Sequence, residues 1–228
     1  MENRYVLIAD ILGFSNIVKN LDDWELDLRI NKWIGLIENI SKEFEIKDYQ
    51  LLSDTLFVSL KQDINQGENL FRFSKKLLEE TLKNNIPIRG AISYGRVHWG
   101  KMIYGKPIID AHSLEINQDW IGICLEQKFS FSPKISEEKI VICYTPPIMN
   151  SVVATYRVIN WDIPEVLKLI PATHAEGLVK DKEAISWSNY RKLENTNTFR
   201  KYLEKTRKLR QDPKFPPLAY LPPLFNNI

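Results

Sequence analysis

The sequence predicts an α+β fold of the ferredoxin-like or palm type, in which helices pack on a mainly antiparallel sheet. Three observations lead to this prediction. Short β-forming apolar runs recur along the first half, two amphipathic helical segments separate them, and a two-residue gap between two runs signals a hairpin. Strands and helices in this order, with one crossover pair, are typical of a split βαβ unit.

The elements of the first half follow from local patterns. Residues 22–44 carry apolar side chains at helical spacing, and Asp22 or Asp23 is a suitable N-cap. Only Ser53 and Asp54 separate two strand-like runs, which is typical of a hairpin. The predicted strands are residues 5–9, 49–52, 55–60 and 88–94, and the predicted helices are residues 22–44, 68–83 and about 108–116.

The second half carries weaker signals. Residues 139–144 and 152–159 are predicted strands, and residues 181–210 are charged and broadly helical. The chain ends in DPKFPPLAYLPPLFNNI, where proline excludes a regular helix and favours a strap over the domain or a docking tail. We therefore expect one domain, with a principal unit over residues 1–144 and a C-terminal α/β extension over residues 145–228 packed on it.

Composition narrows the class of protein. At 228 residues, with 44% hydrophobic and 26% charged residues, the chain is typical of one soluble globular domain. A net charge of +2 is too small to indicate nucleic acid or a membrane as partner, and no apolar run approaches the roughly 18 residues of a membrane helix. There is no signal-peptide pattern, and Cys124 and Cys143 match no metal-ligand spacing. We expect a cytoplasmic protein with reduced thiols.

Two carboxylates indicate chemistry. Asp10 ends the first predicted strand, and Asp54 lies in the tip of the predicted hairpin. In a palm-like sheet these elements are neighbours, so the side chains can meet, and one must then bind a proton unless a cation lies between them. Two carboxylates, a backbone carbonyl and phosphate oxygens suit Mg²⁺ or Mn²⁺ and phosphoryl or nucleotidyl transfer. The alternative is a strand-end cap and an ordinary turn residue.

Four motifs resemble those of class III nucleotidyl cyclases. IADILGFSNIV resembles their first-strand motif, and LLSDTLFVSL resembles their hairpin, with Ser53-Asp54 where Gly-Asp usually stands. IPIRGAISYGRVHWG and YGKPIIDAHSLE resemble the next strand and the following helix, and the four occur in the family's order over residues 5–115. The resemblance implies a cyclase homology domain that works as a head-to-tail homodimer with active sites at the subunit interface.

The resemblance also assigns residues to the metal and the triphosphate. The metal ligands would be Asp10, Asp54 and the backbone carbonyl of Ile11, holding two Mg²⁺ or Mn²⁺ ions per active site. The turn that follows would hold the triphosphate through backbone N–H groups, with its phenylalanine bordering the nucleotide. The residues of this turn are Leu12, Gly13, Phe14 and Ser15.

Within the family, the segments RGAISYG, AHSLE and YRVINWD most resemble the stand-alone bacterial pyrimidine cyclases of Pycsar anti-phage defence. This resemblance implies conversion of UTP or CTP to a 3′,5′-cyclic nucleotide and pyrophosphate. The cyclic product would then act as a second messenger on a separate effector protein.

The predicted base-reading positions favour a pyrimidine substrate. Gln50 stands where adenylyl cyclases carry a lysine that reads adenine, and a glutamine can both donate to and accept from uracil or cytosine. The acidic residue that reads purines in the family has no clear counterpart in GKMIYG. Tyr49 is a candidate to stack on the base. Of the two pyrimidines we favour UTP. The alternatives are that Gln50 is a surface residue, that Tyr49 is a core residue, and that the chain is a purine cyclase with altered base contacts.

The family's transition-state Asn and Arg fall on Ile109 and Ser113, which cannot do that work. Arg89 is a catalytic candidate to replace them, because a guanidinium in an apolar strand needs an anionic partner; a structural salt bridge explains it equally well. Lys101 is a candidate phosphate ligand or a solvated surface residue. If nothing replaces the lost pair, the chain is a non-catalytic module that binds a nucleotide or a partner.

Overall fold

The computed structural model describes residues 1–126, 129, 135, 138–149, 153–161 and 187–211. Within these residues seven strands form one sheet in the order β2-β3-β1-β4-β5-β7-β6, and neighbours are antiparallel except β4 and β5. The strands are β1 (Glu2–Ile11), β2 (Tyr49–Leu52), β3 (Thr55–Lys61), β4 (Ile88–Val97), β5 (Gly122–Leu125), β6 (Val141–Tyr144) and β7 (Tyr156–Ile159). The helices are α1 (Phe14–Asn20), α2 (Asp23–Glu43), α3 (Ile64–Lys83), α4 (Lys106–Ile116) and α5 (Trp187–Gln211).

The predicted α+β fold with a mainly antiparallel sheet is confirmed. Asp22 caps α2 by accepting a hydrogen bond from the Glu25 N–H, as its side-chain chemistry predicts. The helix predicted from residue 68 begins earlier, at Ile64, because Asp63 caps it by accepting from the Asn65 N–H. The strand predicted at 152–159 begins only at Tyr156. Residues 181–186 and the proline-rich end, 212–228, lie outside the described residues.

The helix α1 and the strand β5 were not predicted from the sequence. The helix α1 has only seven residues, and its N-cap, Gly13, has a φ of 80°, so neither length nor a capping side chain announces it. The strand β5 has four residues, starts with Gly122 and is buried along its whole length. Such a strand shows no alternation of polar and apolar residues, because both of its faces are covered.

The central strand β1 separates two apolar layers. Leu7 and Ala9 face the main core, which α2 and α3 cover. Val6 and Ile8 face a smaller cluster that includes Ala111 of α4. Because side chains alternate along a strand, Asp10 lies on the α4 side of the sheet, at the end of the run that begins with Val6.

The last described helix packs at the far side of the sheet. Phe199 of α5 is fully buried, with its ring 4.7 Å from that of Trp120 and 4.5 Å from that of Tyr144. Tyr202 donates a hydrogen bond from its hydroxyl to the Cys143 carbonyl and so covers β6, the edge strand. Among the described helices, none combines the length and the apolar character needed to cross a bilayer.

Candidate active site

The two carboxylates named from the sequence lie beside each other. The antiparallel register of β1 and β3 pairs Ala9 with Leu56, which puts the β2–β3 turn next to Asp10. Ser53 adopts a left-handed conformation with a φ of 58°, and the Asp54 carboxyl lies close enough to the Asp10 carboxyl to raise its pKa. Adjacent strand ends and one tight turn therefore form this pair.

Burial raises the pKa of Asp10 to about 8, and the hydrogen bond and charge of Asp54 act in the same direction. Glu115 adds a smaller upward contribution to this pKa, and Arg89 opposes it. At neutral pH Asp10 therefore carries a proton when no cation is bound, because its pKa is about 8. A divalent ion would remove that need, and the all-oxygen donor set fits Mg²⁺ or Mn²⁺.

No cluster of three or more His, Cys, Asp or Glu side chains suited to a metal occurs among the described residues. A metal held by Asp10 and Asp54 would take its further ligands from a backbone carbonyl and from the substrate. Ile11, the last residue of β1, is buried beside the pair and is the predicted source of that carbonyl. Such a shared shell is the usual arrangement for Mg²⁺ with a phosphate substrate.

Arg89 lies directly opposite Asp10 in the register of β1 and β4. Its Nη2 is 3.9 Å from Asp10 Oδ2, and its Nε is 2.6 Å from Glu115 Oε1. Its Nη1 donates hydrogen bonds to the carbonyls of Ile116, at 3.0 Å, and Gln118, at 3.3 Å. The structural ion pair considered from the sequence is thus present, and the same guanidinium also faces the carboxylate pair.

Glu115 is a site residue that the sequence reasoning missed. Its side chain is only 2% exposed, and burial raises its pKa while Arg89 and His112 oppose that shift. His112 Nδ1 lies 3.4 Å from Glu115 Oε2. The available signal was its position: Ile108, Ala111 and Glu115 share one face of α4, so a carboxylate stands on the helix face that packs on the sheet.

The backbone N–H groups of the predicted triphosphate turn differ in whether they already donate a hydrogen bond. The Leu12 N–H already donates to the Pro87 carbonyl at 2.9 Å. Gly13 precedes α1, and the first N–H groups of a helix, here those of Phe14 and Ser15, have no partner within the helix. The Phe14 ring packs partly against the main core, and Ser15 is exposed.

The predicted base-binding residues separate onto two faces of the sheet. Tyr49 pairs with Val58, and its ring packs partly against the main core, away from the Asp10 face. Gln50 is exposed on the opposite face, where its Nε2 donates to the Gly100 carbonyl at 3.3 Å. That contact brings Gln50 next to the segment that carries the exposed Lys101. The structure therefore groups Gln50 and Lys101 but not Tyr49.

The positions of the family's Asn and Arg lie on the outer surface of α4. Ile109 is 67% exposed, and Ser113 is exposed as well. Within α4, Lys106 Nζ binds both carboxylate oxygens of Asp110, at 2.7 and 2.5 Å. Lys106, which lies on the same face of α4 as Ile109 and Ser113, is therefore already paired with an acidic side chain.

Comparisons with solved structures return adenylyl and guanylyl cyclase domains. A bacterial light-regulated adenylyl cyclase is 17% identical, with a TM-score of 0.54 over 75% of this chain and 98% of the other. The catalytic core of a rhodopsin–guanylyl cyclase with converted specificity, in complex with ATPαS, is 14% identical, with a TM-score of 0.54 over 70% and 96%. The guanylate cyclase domain of RhGC from Catenaria anguillulae, in complex with GTP, is 15% identical, with a TM-score of 0.53 over 69% and 96%.

No protein-family model matches the chain, and no curated protein matches it. The likeness therefore lies in the arrangement of the backbone rather than in the sequence. The chain has the fold of the adenylyl and guanylyl cyclase domains.

Proposed function

We propose that this protein is a metal-dependent nucleotidyl cyclase that converts a nucleoside triphosphate to a 3′,5′-cyclic nucleotide and pyrophosphate. The observation that carries the proposal is the meeting of Asp10 and Asp54 at the end of β1, with the guanidinium of Arg89 beside them. A pair of like charges at the end of the central strand is costly unless a cation and a phosphate substrate compensate it.

In the proposed reaction the ribose 3′ oxygen forms a bond to the α-phosphorus. The bond from that phosphorus to the bridging oxygen of the β-phosphate breaks, pyrophosphate leaves, and the proton of the 3′ hydroxyl passes to solvent. Divalent ions, two per site in the proposal, would lower the pKa of the hydroxyl and compensate the charge of the leaving pyrophosphate. Asp10, Asp54 and the Ile11 carbonyl would hold these ions.

The chain's own groups orient the substrate and receive the developing charge. The N–H groups of Phe14 and Ser15, at the start of α1, are suited to bind phosphate oxygens. Arg89 is held by Glu115 and two carbonyls, and its Nη2 lies 3.9 Å from Asp10 Oδ2, which suits it to receive charge that develops on the α-phosphate. Lys101, exposed beside Gln50, is the proposed further contact of the nucleotide.

For the base we propose a pyrimidine, with UTP favoured over CTP. The support is Gln50, which is exposed on the Asp10 face and offers both a donor and an acceptor. A purine substrate is the second candidate, because two of the similar structures hold ATPαS and GTP. In the pyrimidine case the product would serve as a second messenger for a separate effector in anti-phage defence, within the cytoplasm.

We also propose a head-to-tail homodimer. Ile109, Ile116 and Met102 are large apolar side chains left exposed on and beside α4, which suits a covered face. A guanylyl cyclase domain from Blastocladiella emersonii, with TM-scores of 0.55 and 0.54 to this chain, is known both as a monomer and as an unusual dimer. Sedimentation of the purified protein over a range of concentrations would measure the state of assembly.

The test of activity uses the purified full chain with ATP, GTP, CTP or UTP and Mn²⁺ or Mg²⁺. We expect pyrophosphate and a cyclic nucleotide, measured by mass spectrometry, with UTP or CTP, and no product when EDTA removes the metal. Product from ATP or GTP alone would replace the pyrimidine proposal with the purine one. Nucleotide binding without product from any of the four would leave the non-catalytic module as the correct function.

A further inference from the structure

The loop between α4 and β5, residues 117–121, forms the wall behind Arg89. The carbonyl of Gln118 accepts a hydrogen bond from Arg89 Nη1, and its side-chain Nε2 donates to the Gly90 carbonyl at 2.5 Å. The Gln118 side chain is itself held, because Trp120 Nε1 donates to its Oε1 at 3.1 Å. The position of the guanidinium therefore depends on where this loop lies.

Side chains of α5 bind the other side of the same loop. Arg191 binds the buried Asp119 carboxylate through both Nε and Nη2, and Asn195 Nδ2 donates to the Asp119 carbonyl at 2.8 Å. The Thr196 hydroxyl oxygen accepts a hydrogen bond from the Ile121 N–H at 3.0 Å. These contacts join segments more than 70 residues apart in the chain.

Packing leaves the loop little room to adjust. Trp120 is fully buried against Phe199, at 4.7 Å between ring centroids. A Cβ placed on Gly122 would lie 2.4 Å from the Trp120 ring, so the ring sits directly on the backbone of β5. The segment after β6 adds a third support, because the Asp119 N–H donates to the Pro147 carbonyl at 3.0 Å.

The contact of Arg191 with Asp119 is suited to position the 117–121 loop rather than to stabilise the fold. Asp119 is buried, but the Arg191 side chain is 43% exposed, so solvent screens the attraction and the pair contributes little to the free energy of folding. What such a pair does supply is a directional contact with one geometry. Here that geometry fixes Asp119, the residue next to the Gln118 carbonyl that holds Arg89.

We propose that α5 acts as a clasp that positions Arg89 for reaction, with Asp119, Arg191 and Asn195 as positioning residues. The inference rests on the proposed cyclase function for its effect on turnover. In this proposal α5, from the C-terminal region, orients a side chain of the candidate site, whose residues come from the first half of the chain. Burial, and then the charge of Arg89, lower the pKa of Lys192 from its ordinary value, which agrees with α5 lying close to the guanidinium.

The kinetic test compares Arg191→Ala and the milder Asn195→Ala with Lys201→Ala, a charge-removing control at an exposed position of the same helix. We expect Arg191→Ala and Asn195→Ala to lower kcat by about 10- to 100-fold per folded molecule and to leave KM within about twofold, because a displacement of the guanidinium near 1 Å has that effect. The control variant should match the wild type. In an Arg89→Gln background, Arg191→Ala should lower the residual kcat by less than about twofold. Equal losses with and without Arg89, or no loss, would overturn the clasp.

A second measurement separates failure of the clasp from failure of the proposed function. The Arg89 Nε–H signal in the NMR spectrum of the full chain reports the environment of the guanidinium and needs no substrate. We expect this signal to shift or broaden in Arg191→Ala and Asn195→Ala and to keep its position in Lys201→Ala. An unchanged signal in both clasp variants would overturn the inference even in an active enzyme, whereas a shifted signal in an inactive chain would support the clasp and reject only the cyclase proposal.

Discussion

The two halves of the candidate site are held in different ways. The carboxylate half, Asp10 and Asp54, is placed by the β1–β3 ladder and a two-residue turn. The guanidinium half, Arg89 with Glu115 and the 117–121 loop, is placed by contacts from α4, from the segment after β6 and from α5.

This difference shows how much structure each charge requires. The Asp10 side chain is only 22% exposed, but a cation bound from solution can compensate the charge of Asp10 and Asp54. Arg89 has a side chain only 16% exposed, so it needs a carboxylate and carbonyls already in place around it. An acidic pair can therefore be placed by strand register alone, while a buried cation needs walls from several elements.

The largest expected effect comes from breaking the carboxylate half. Asp54→Asn keeps the shape of the turn and removes one of the two charges, so we expect turnover to fall by at least about 10³-fold. Nucleotide binding, measured by calorimetry, should change by less than about threefold, because most of the phosphate contacts lie elsewhere. Asp27→Asn, at an exposed position on α2, is the matched control and should behave as the wild type. Wild-type turnover in Asp54→Asn would remove this half from the mechanism.

Breaking the guanidinium half should affect both stability and rate. Arg89→Ala leaves the buried Glu115 with only His112 beside it, and we expect a loss of about 3 kcal/mol in the free energy of unfolding, measured with urea. The double variant Arg89→Met/Glu115→Leu should recover most of that loss, since apolar residues of similar volume can replace a buried pair. Turnover should stay at least about 10²-fold below the wild type in the double variant. A stable double variant with full activity would reduce Arg89 to a structural role.

The raised pKa of Asp10 predicts a pH dependence that is specific to the carboxylate half. With EDTA present, the folded chain keeps a proton on Asp10 between about pH 4 and pH 8 that the unfolded chain has lost. The folded state then binds more protons, so the free energy of unfolding should fall as the pH rises through this window. Asp10→Asn should flatten the fall, measured by urea unfolding at several pH values. A residual slope is expected from Glu115, whose pKa is also raised.

The smallest effect concerns the turn that carries Asp54. Ser53 has a φ of 58°, a conformation that costs a non-glycine residue about 1 kcal/mol, so Ser53→Gly should stabilise the protein by a few tenths to about 1 kcal/mol. Asn85→Gly, at a position with the same φ of 58°, should gain less because asparagine tolerates this conformation. Thermal unfolding of the two variants measures the difference. A larger gain at residue 85 would contradict the assignment of strain to the hairpin.

The strand and the hairpin that carry Asp10 and Asp54 could be predicted from the sequence almost completely. The apolar run before Asp10, the two-residue gap at Ser53-Asp54 and the helical spacing after Asp22 are local patterns, and local patterns survive in the fold. The turn at Gly13 was predicted as a phosphate loop, but the short helix α1 behind it was not, because seven residues carry too weak a periodicity.

The guanidinium half could be predicted only in part. Arg89 was visible as a charge in an apolar strand, but its partner Glu115 looked like any acidic residue on a helix until the face of α4 was known. The contact of Asp119 with Arg191 spans 72 residues and leaves no mark in either local sequence. Tyr49 shows the same limit, because only the register of β2 decides that its ring packs against the main core while Gln50 faces the other side.

The hydrogen bond from Ile121 to Thr196 also has a consequence for biosynthesis. It joins residues 75 positions apart, so the 117–121 loop lacks that support until Thr196 has left the ribosome. At about 5–20 residues per second, roughly 4–15 s pass between the synthesis of the two ends of this bond. During that time a nascent chain has its acidic pair but not the finished guanidinium half. The order of translation thus delays completion of the guanidinium half until residue 196 has been made.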